Sequence, residues 1–310
     1  MRARRGVPKS PRDLGVCPGT VVGMIVITGA TGTIGSEIIR QLAERGEGVR
    51  AVTRNPDRAR VPAGVEVVRG DYTDVESIAA AMRGARAAFV VGVLGPEYLE
   101  ADRALIVTAR EAGVERIVKL SAIGTGDAGL GRVGSWHLPG EQAVRESGGE
   151  WTILRPSSFA SNTLSWAEAI RSGQPVPNMT GDAAQGVIDP RDVAGVAVET
   201  LVSAEHAGRI YTLTGPELRT TRDLAATLSD VVGRPVDVAD IPEAEAREYM
   251  LASGMSVEFA DGALAGQAYV RAGHNAIVTD DVRQILGRVR TYAEWATDHA
   301  NAFLADGNAS

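Results

Sequence analysis

The stretch Met24-Ile-Val-Ile-Thr-Gly-Ala-Thr-Gly-Thr-Ile-Gly-Ser-Glu-Ile-Ile-Arg-Gln-Leu42 decides the fold of this chain. Its first four residues are apolar and predict a buried parallel strand. Apolar side chains at Ile34, Ile38 and Leu42 then follow the spacing of a helix. The stretch therefore predicts a strand, a tight turn and a helix in immediate succession.

Three glycines in the turn, Gly29, Gly32 and Gly35, indicate that it binds a nucleotide. A pyrophosphate needs close approach of backbone N–H groups and the positive end of a helix dipole, and glycine permits both that approach and helix packing on the strand. No Gly-Lys-Ser/Thr follows, which excludes a Walker A loop. An ordinary strand-to-helix turn is the alternative, but strand, glycines and helix occur together at the fingerprint spacing. The predicted cofactor contacts are Gly29, Thr31, Gly32, Thr33, Ile34 and Gly35.

Arg54 ends the second predicted strand, about 20 residues beyond the glycines, where an acidic residue would hold the 2′-hydroxyl of NAD. A guanidinium pairs bidentately with phosphate, so Arg54 predicts NADP(H) as the cofactor, in preference to NAD(H). The alternative is a solvated arginine in a surface loop that also holds Arg58 and Arg60.

Further apolar runs alternate with helical segments, which is typical of βαβ units in a parallel sheet covered on both faces. The runs are Val49–Arg54, Val65–Val68, Ala87–Gly92, Arg116–Leu120, Trp151–Pro156 and Gly208–Thr214. The fold class is therefore an α/β, Rossmann-type, doubly wound parallel sheet with a smaller, mostly helical C-terminal cap. We assign residues 1–23 to a disordered tail, 24–163 to the NAD(P)-binding domain, and 164–310 to a substrate and cap region interleaved with the last strands.

Helix starts carry clear capping patterns. We expect capping boxes at Thr73 with Glu76, Thr220 with Asp223, and Thr291 with Glu294, and an N-cap at Asp189 followed by proline with Asp192 at the third helical position. Both aspartates are then structural and not a catalytic pair. Tyr292, Trp295 and Phe303 are expected in the core.

Ligands of open α/β sheets bind at the carboxyl ends of strands, and four residues are predicted there. Asp71 either accepts a hydrogen bond from the adenine amino group or fixes a turn. Gly92 lets the backbone pass close beneath the nicotinamide ribose. Phe159 and Asn162 follow the sixth strand and face the substrate side of the cleft.

Composition narrows the class of partner. The net charge of −7 over 310 residues offers no broad basic field for nucleic acid, and no apolar run approaches the length of a membrane helix. Cys17 is the only cysteine, which fits a cytoplasmic protein without disulfides, and the histidines show no metal-ligand spacing. The first 23 residues are basic and lack a secretory apolar core, and translation from Met24 would leave the predicted fold intact.

The chain resembles the NmrA-like atypical short-chain dehydrogenase/reductases from Met24 to about Phe303. The motifs that carry the resemblance are Thr28–Gly35, Arg54, Leu120-Ser-Ala, His137 before a helix, Thr152-Ile-Leu-Arg-Pro with Phe159 and Asn162, Ile188–Ala194, and Thr291-Tyr-Ala-Glu-Trp-Ala. That group includes NADPH-dependent quinone reductases and non-catalytic nucleotide sensors. The resemblance implies that the segment from Ile241 to Val278 covers the substrate cleft.

One departure from ordinary short-chain dehydrogenases concerns the proton donor. Those enzymes use a Tyr-x-x-x-Lys pair, and this chain has His137-Leu-Pro-Gly-Glu141 at the corresponding place. His137 can replace the tyrosine, because imidazole titrates near physiological pH, or it can simply begin a helix. Glu141 has the wrong charge to replace the lysine. Ser121 lies where the family has a substrate-facing serine, or it is satisfied by nearby backbone.

These observations favour an NADPH-dependent oxidoreductase that transfers hydride to a quinone or another conjugated carbonyl compound. The substrate is expected to be an apolar or aromatic small molecule, since Tyr249, Met250, Met255, Val257 and Phe259 either line a pocket or form core. The alternative is a non-catalytic NADP(H) sensor, favoured by the missing Tyr and Lys. A sugar-nucleotide epimerase is the weakest interpretation. The protein is expected to be a monomer or a homodimer.

Overall fold

The computed structural model describes residues 23–92, 99–131 and 133–304. Cys17 and nearly all of the predicted tail lie outside the described residues, whereas the alternative start, Met24, begins β1. Gly23 is described, and its carbonyl accepts a hydrogen bond from Arg86 Nε at 2.9 Å. The strands are β1 (Met24–Ile27), β2 (Val49–Thr53), β3 (Glu66–Arg69), β4 (Ala85–Val90), β5 (Arg116–Leu120), β6 (Glu150–Pro156), β7 (Ser158–Phe159), β8 (Val176–Asn178), β9 (Gln185–Ile188), β10 (Arg209–Leu213), β11 (Leu218–Arg219) and β12 (Val238–Asp240).

The α-helices follow the strands in alternation through the first half of the chain and dominate the end. They are α1 (Thr33–Glu44), α2 (Val75–Met82), α3 (Leu99–Glu111), α4 (Leu138–Glu146), α5 (Ala167–Arg171), α6 (Pro190–Val202), α7 (Thr221–Val232), α8 (Glu243–Ala252), α9 (Val257–Arg271), α10 (Asp281–Leu286) and α11 (Tyr292–Asp298).

Seven strands form one sheet in the order β10-β6-β5-β4-β1-β2-β3, and every neighbouring pair is parallel. This confirms the predicted doubly wound Rossmann-type sheet. The strand order reverses between β1 and β4, and in such sheets the crevice beyond the carboxyl ends at that reversal receives the ligand. β10 comes from beyond residue 164, so the sheet is completed by the C-terminal region; the division of the chain at that residue stays a prediction.

Each face of the sheet buries its own apolar cluster. On one face α1 and α6 pack together and contribute Ile38, Leu42, Val193 and Val196. On the other face α2, α3 and α4 contribute side chains such as Ile106 and Val144. Strands covered on both faces need nearly continuous apolar residues, which explains why the runs that predicted them were easy to recognise.

The C-terminal region has a core of its own. Tyr292, Trp295 and Phe303 are at most 2% exposed and pack together, which confirms their prediction as core residues. In the cap, Met250 is buried against Ala260 and Leu264, while Tyr249 is 73% exposed. Two short sheets, β11-β9-β7 and β12-β8, accompany the main sheet.

Helix starts mostly follow the predicted caps. The capping boxes at Thr220 and Thr291 and the N-cap at Asp189 are confirmed. The predicted box at Thr73 is wrong. α2 begins one residue later, because Asp74 accepts from the Ser77 backbone N–H at 3.1 Å while Asp71 holds both the N–H and the hydroxyl of Thr73.

Candidate active site

The turn between β1 and α1 is built from backbone. Gly29 has a φ of +61°, a conformation that side-chain-bearing residues rarely adopt. Gly32 caps α1 without a side chain, so the N–H groups of Thr33, Ile34 and Gly35 have no intrahelical acceptor. Residues 31–33 are exposed, whereas Ile34 is buried beneath them. The turn therefore presents free donors and the positive end of a helix dipole to an anion.

Two hydroxyl groups fix the turn against the end of β4. Thr28 Oγ1 donates to the Phe89 carbonyl at 3.1 Å and accepts from the Val91 N–H at 3.0 Å. The Tyr72 hydroxyl donates to the Val91 carbonyl at 2.7 Å. The Thr28 bonds join the ends of β1 and β4 at the point where the strand order reverses, and the Tyr72 bond joins the segment after β3 to the same place.

Arg54 is exposed at the carboxyl end of β2 and forms no hydrogen bond or ion pair with any residue that the structure describes. An arginine held by no carboxylate is available to an anionic ligand. The pKa of Asp71 is lowered mainly by two hydrogen bonds from Thr73, and the positive charge of Arg54 makes a smaller contribution. Asp71 therefore lies near Arg54. Those bonds show that Asp71 fixes a turn, which was one of its two predicted roles.

Gly92 has a packing reason to be glycine. A Cβ there would lie 2.9 Å from the Asp102 Cα and 2.9 Å from the Leu105 Cδ1, both on α3. The close approach of α3 to the end of β4 thus requires this glycine. Its predicted place beneath the nicotinamide ribose stays a prediction.

His137 stands immediately before α4, at the N-cap position, but its side chain makes no capping bond. Its Nδ1 is 3.5 Å from the Nζ of Lys119. Burial, with the positive charges of Lys119 and Arg155, lowers the pKa of His137 to about 3. The expectation that this imidazole titrates near physiological pH is therefore wrong, because an imidazolium would be poorly solvated and would face two cations. The ring is neutral at neutral pH, and its role in proton donation stays a prediction.

Lys119 is fully buried near the end of β5 and pairs with Asp102 of α3, which is also fully buried. The Nζ–Oδ2 distance is 2.7 Å, and Nζ also donates to the Leu120 carbonyl at 2.8 Å. Burial raises the pKa of Asp102, and the Lys119 ammonium opposes that rise. The site thus contains a lysine although the Tyr-x-x-x-Lys motif is absent.

Ser121 is satisfied by a carboxylate and not by backbone. Its hydroxyl donates to Glu141 Oε1 at 2.6 Å and lies 3.2 Å from Thr125 Oγ1. Glu141 is fully buried and also accepts from Arg155 and Arg145. Burial would raise the pKa of Glu141, but the hydrogen bonds and charges of its partners hold it below the usual range. Ser121 is therefore turned toward a buried ion-pair network.

Phe159 is half-buried on β7, packed against the sheet core, and Asn162 is exposed just beyond it with its amide 3.4 Å from the Ser158 hydroxyl. Helix α9 of the C-terminal region also makes contacts here. The rings of Trp136 and Phe259 lie 6.4 Å apart, and the Tyr269 hydroxyl donates to Asp127 at 2.7 Å. These contacts join α9 to the glycine-rich loop after β5.

The sequence did not reveal the roles of Lys119, Asp102, Glu141 and Arg155. One signal was present: a lysine within the apolar run of β5 cannot be buried without a partner. Nothing in the sequence identified Asp102 as that partner.

A surface groove of about 510 Å³ lies elsewhere, between Arg191, Arg288 and α11, and contains none of the predicted site residues. Within residues 23–92, 99–131 and 133–304, no cluster of three His, Cys, Asp or Glu side chains is arranged to hold a metal ion. Over the same residues, none of the helices combines the length and apolarity that crossing a bilayer needs.

Comparison with known proteins gives matches over most of the chain. The model of a family described as NAD(P)H-binding matches residues 29–204. The (4-alkanoyl-5-oxo-2,5-dihydrofuran-3-yl)methyl phosphate reductase of Streptomyces griseus is 40% identical, over 91% of this chain and 100% of that protein. NAD(P)H azoreductase of Xenophilus azovorans is 36% identical over the same shares. The structure of the NADPH-dependent quinone oxidoreductase QOR2 of Escherichia coli, complexed with NADPH, is 26% identical, with a TM-score of 0.79 over 89% of this chain and 99% of that one.

Proposed function

This chain belongs to the NAD(P)H-binding family, among the NmrA-like atypical short-chain dehydrogenase/reductases, and we propose that it uses NADPH to reduce a conjugated, electron-poor small molecule. It is an NAD(P)H-dependent oxidoreductase. The finer proposal concerns the preferred cofactor, the acceptor and the residues that serve the reaction. A quinone or conjugated carbonyl compound is the proposed acceptor class.

The observation that carries the proposal is the uncapped start of α1 above the strand-order reversal. Gly32 leaves the first N–H groups of α1 without acceptors, and the Gly29 turn opens toward them. A pyrophosphate fits this set of donors. Hydride transfer is then supplied by the nicotinamide, and this chain has to orient the two reactants and stabilise charge on the acceptor.

The preference for NADPH rests on Arg54. Its guanidinium is exposed, without a carboxylate partner among the described residues, at the end of the second strand. A phosphate monoester gives it a bidentate, charge-assisted partner, whereas a ribose hydroxyl does not.

The acceptor class is supported by chemistry common to the relatives. The named substrates of these proteins are an unsaturated lactone, an azo compound and a quinone. Each is a conjugated acceptor in which hydride attack places negative charge on an oxygen or nitrogen atom. Trp136, which precedes His137 in the chain, lies near Phe259 of α9, and aromatic side chains of this kind suit a flat apolar acceptor.

Among the polar groups near the cleft, His137 is better suited than Ser121 to meet the developing charge. The Ser121 hydroxyl is already donated to Glu141. His137 is neutral and its Nε2 has no hydrogen bond to the described residues, so a neutral imidazole can act as a hydrogen-bond donor.

The test is NADPH oxidation, followed by absorbance, against a panel of quinones, unsaturated lactones, enones and azo dyes. Binding of NADPH is followed in the same samples by fluorescence of the four tryptophans. Saturable, acceptor-dependent oxidation supports the proposal. Binding of NADPH without oxidation by any acceptor would contradict it and favour the nucleotide sensor.

A further inference from the structure

Lys119 is unusual for this chain. Of its 32 basic residues only Lys9 and Lys119 are lysines, and Lys119 is the single lysine among the described residues. Every Lys or Arg side chain in the other ion pairs of the described residues is an arginine, including Arg290, which pairs with the fully buried Asp192. A fully buried lysine therefore points to a geometry that a guanidinium does not satisfy.

That geometry is three acceptors around one nitrogen atom. The Lys119 ammonium is 2.7 Å from Asp102 Oδ2, 2.8 Å from the Leu120 carbonyl and 3.5 Å from His137 Nδ1. An ammonium has three hydrogens that diverge from a single point, whereas a guanidinium is a planar fork. The third and longest of these contacts reaches the imidazole.

The contact determines the tautomer of His137. An ammonium has three donors and no acceptor, so a ring nitrogen facing it must present a lone pair. The proton of the neutral ring is then on Nε2. This nitrogen has no hydrogen-bond partner among the residues described, and the His137 side chain is half-buried.

We propose that Lys119 is a positioning residue, which holds His137 as the neutral Nε2–H tautomer so that Nε2 donates a hydrogen bond to the acceptor atom that gains charge on hydride transfer. This inference rests on the proposed reductase function and names the residue that prepares its donor. No proton leaves the imidazole in this step; the reduced acceptor takes its proton from water.

Asp102 and Gly140 make the arrangement possible. Asp102 balances the buried ammonium, which without it would be an unpaired charge in the interior. A Cβ on Gly140 would lie 2.0 Å from Asp102 Oδ2 and 2.6 Å from Lys119 Cε. Glycine in the first turn of α4 thus allows the helix that carries His137 to sit directly on the ion pair.

The charges around His137 come from four elements: Asp102 of α3, Lys119 of β5, Arg155 of β6 and Glu141 of α4. Glu141 is engaged by Arg155, Arg145 and Ser121, and Asp102 by Lys119. The carboxylates are therefore committed elsewhere, and the imidazole meets cations. Removal of Lys119 should raise the pKa of His137 toward its ordinary value, because one of the two cations is lost.

The test uses the full chain labelled with 15N-histidine, in which only four histidines give signals. His137→Gln identifies the His137 resonances. We expect wild-type His137 to be the Nε2–H tautomer and to stay neutral from pH 8 down to pH 5. Lys119→Met alone leaves the buried Asp102 carboxyl without its partner, so the main variant is Lys119→Met with Asp102→Asn, which removes both ionisable groups.

In this double variant we expect a mixture of tautomers, a raised pKa of His137, and a kcat lower by about tenfold to a hundredfold with the KM for NADPH unchanged. Asp192→Asn with Arg290→Met removes another ion pair with a fully buried aspartate and serves as the control, in which the His137 signals should not move. An Nδ1–H tautomer in the wild type, or His137 signals unmoved in the main variant, would overturn the role of Lys119.

The experiment distinguishes failure of the role of Lys119 from failure of the proposed reductase function. If His137→Gln retains full turnover while the wild-type tautomer is Nε2–H, Lys119 sets the tautomer but the ring serves no reaction, which overturns the link to catalysis. If no acceptor is reduced by the wild type, the reductase itself is refuted whatever the spectra show.

Discussion

Gly35 packs directly on the backbone of Gly29: a Cβ on Gly35 would lie 2.2 Å from the Gly29 carbonyl oxygen. The obstacle is backbone, which cannot move aside as a flexible side chain can. Gly35→Ala should therefore destabilise the protein by about 3 kcal/mol and abolish NADPH binding, since the turn itself must shift. Urea unfolding and tryptophan fluorescence measure the two effects.

Gly266→Ala is the matched control for that change. Gly266 lies inside α9, has open space around its Cβ position and does not require a positive φ. Alanine there should stabilise the protein by about 0.5–1 kcal/mol, because alanine is the better helix former. Equal losses of stability at residues 35 and 266 would contradict the packing argument.

Arg54→Ala should weaken NADPH binding about tenfold and leave NADH binding unchanged, because only the 2′-phosphate uses the guanidinium. Titration with both nucleotides measures the ratio of the two dissociation constants. Arg58→Ala, a neighbouring exposed arginine, should leave that ratio alone. A wild-type ratio in Arg54→Ala would show that this arginine does not select the cofactor.

Acid should destabilise the protein partly through His137. Its pKa is about 3 in the folded state and near 6.5 when unfolded, so between these values the unfolded state binds the extra proton. The stability due to this depressed pKa is fully present above pH 6.5 and is lost as the pH falls toward 3, at no more than about 1.4 kcal/mol per pH unit.

Urea unfolding of wild type and His137→Gln at pH 7, 6 and 5 measures this loss. As the pH falls, the unfolding free energy of the wild type should decrease relative to that of His137→Gln. A constant difference would show that His137 is not held neutral in the folded state.

Ser121→Ala should affect stability more than catalysis. The change removes a 2.6 Å hydrogen bond to the buried Glu141 and should cost about 1–2 kcal/mol, with kcat nearly unchanged. Ser157→Ala is the control, because its hydroxyl is buried without a partner among the described residues and its removal should cost little. A large fall in kcat for Ser121→Ala would restore the substrate-facing role that the sequence suggested.

The parts of the fold that the sequence predicted are those that local patterns determine. The strand, turn and helix at residues 24–42 follow from apolar spacing and glycines, and the caps at Asp189, Thr220 and Thr291 each need only neighbouring residues. The failure at Thr73 is also local, because the neighbouring Asp74 is an equally good N-cap residue and takes that role, while Asp71 accepts from the Thr73 N–H.

Local sequence patterns could not predict that Asp102, Lys119 and His137 form a polar cluster. Asp102, Lys119 and His137 lie on or beside α3, β5 and α4, and only the packing of these elements brings them together. Glu141 looked unsuitable because its charge is opposite to that of the missing lysine. The lysine near His137 is Lys119 of β5, and Glu141 binds Arg155 and Ser121.

The register of β10 has a consequence for how the chain is held together. All five of its residues pair with β6, from Arg209 with Thr152 to Leu213 with Pro156, so the last strand of the nucleotide-binding sheet is made by the distal half of the sequence. A fragment ending near residue 163 would expose the open edge of β6 and lack the helix α6 that covers α1. We expect the two halves to melt in one cooperative transition, and a severed N-terminal fragment to self-associate through that edge.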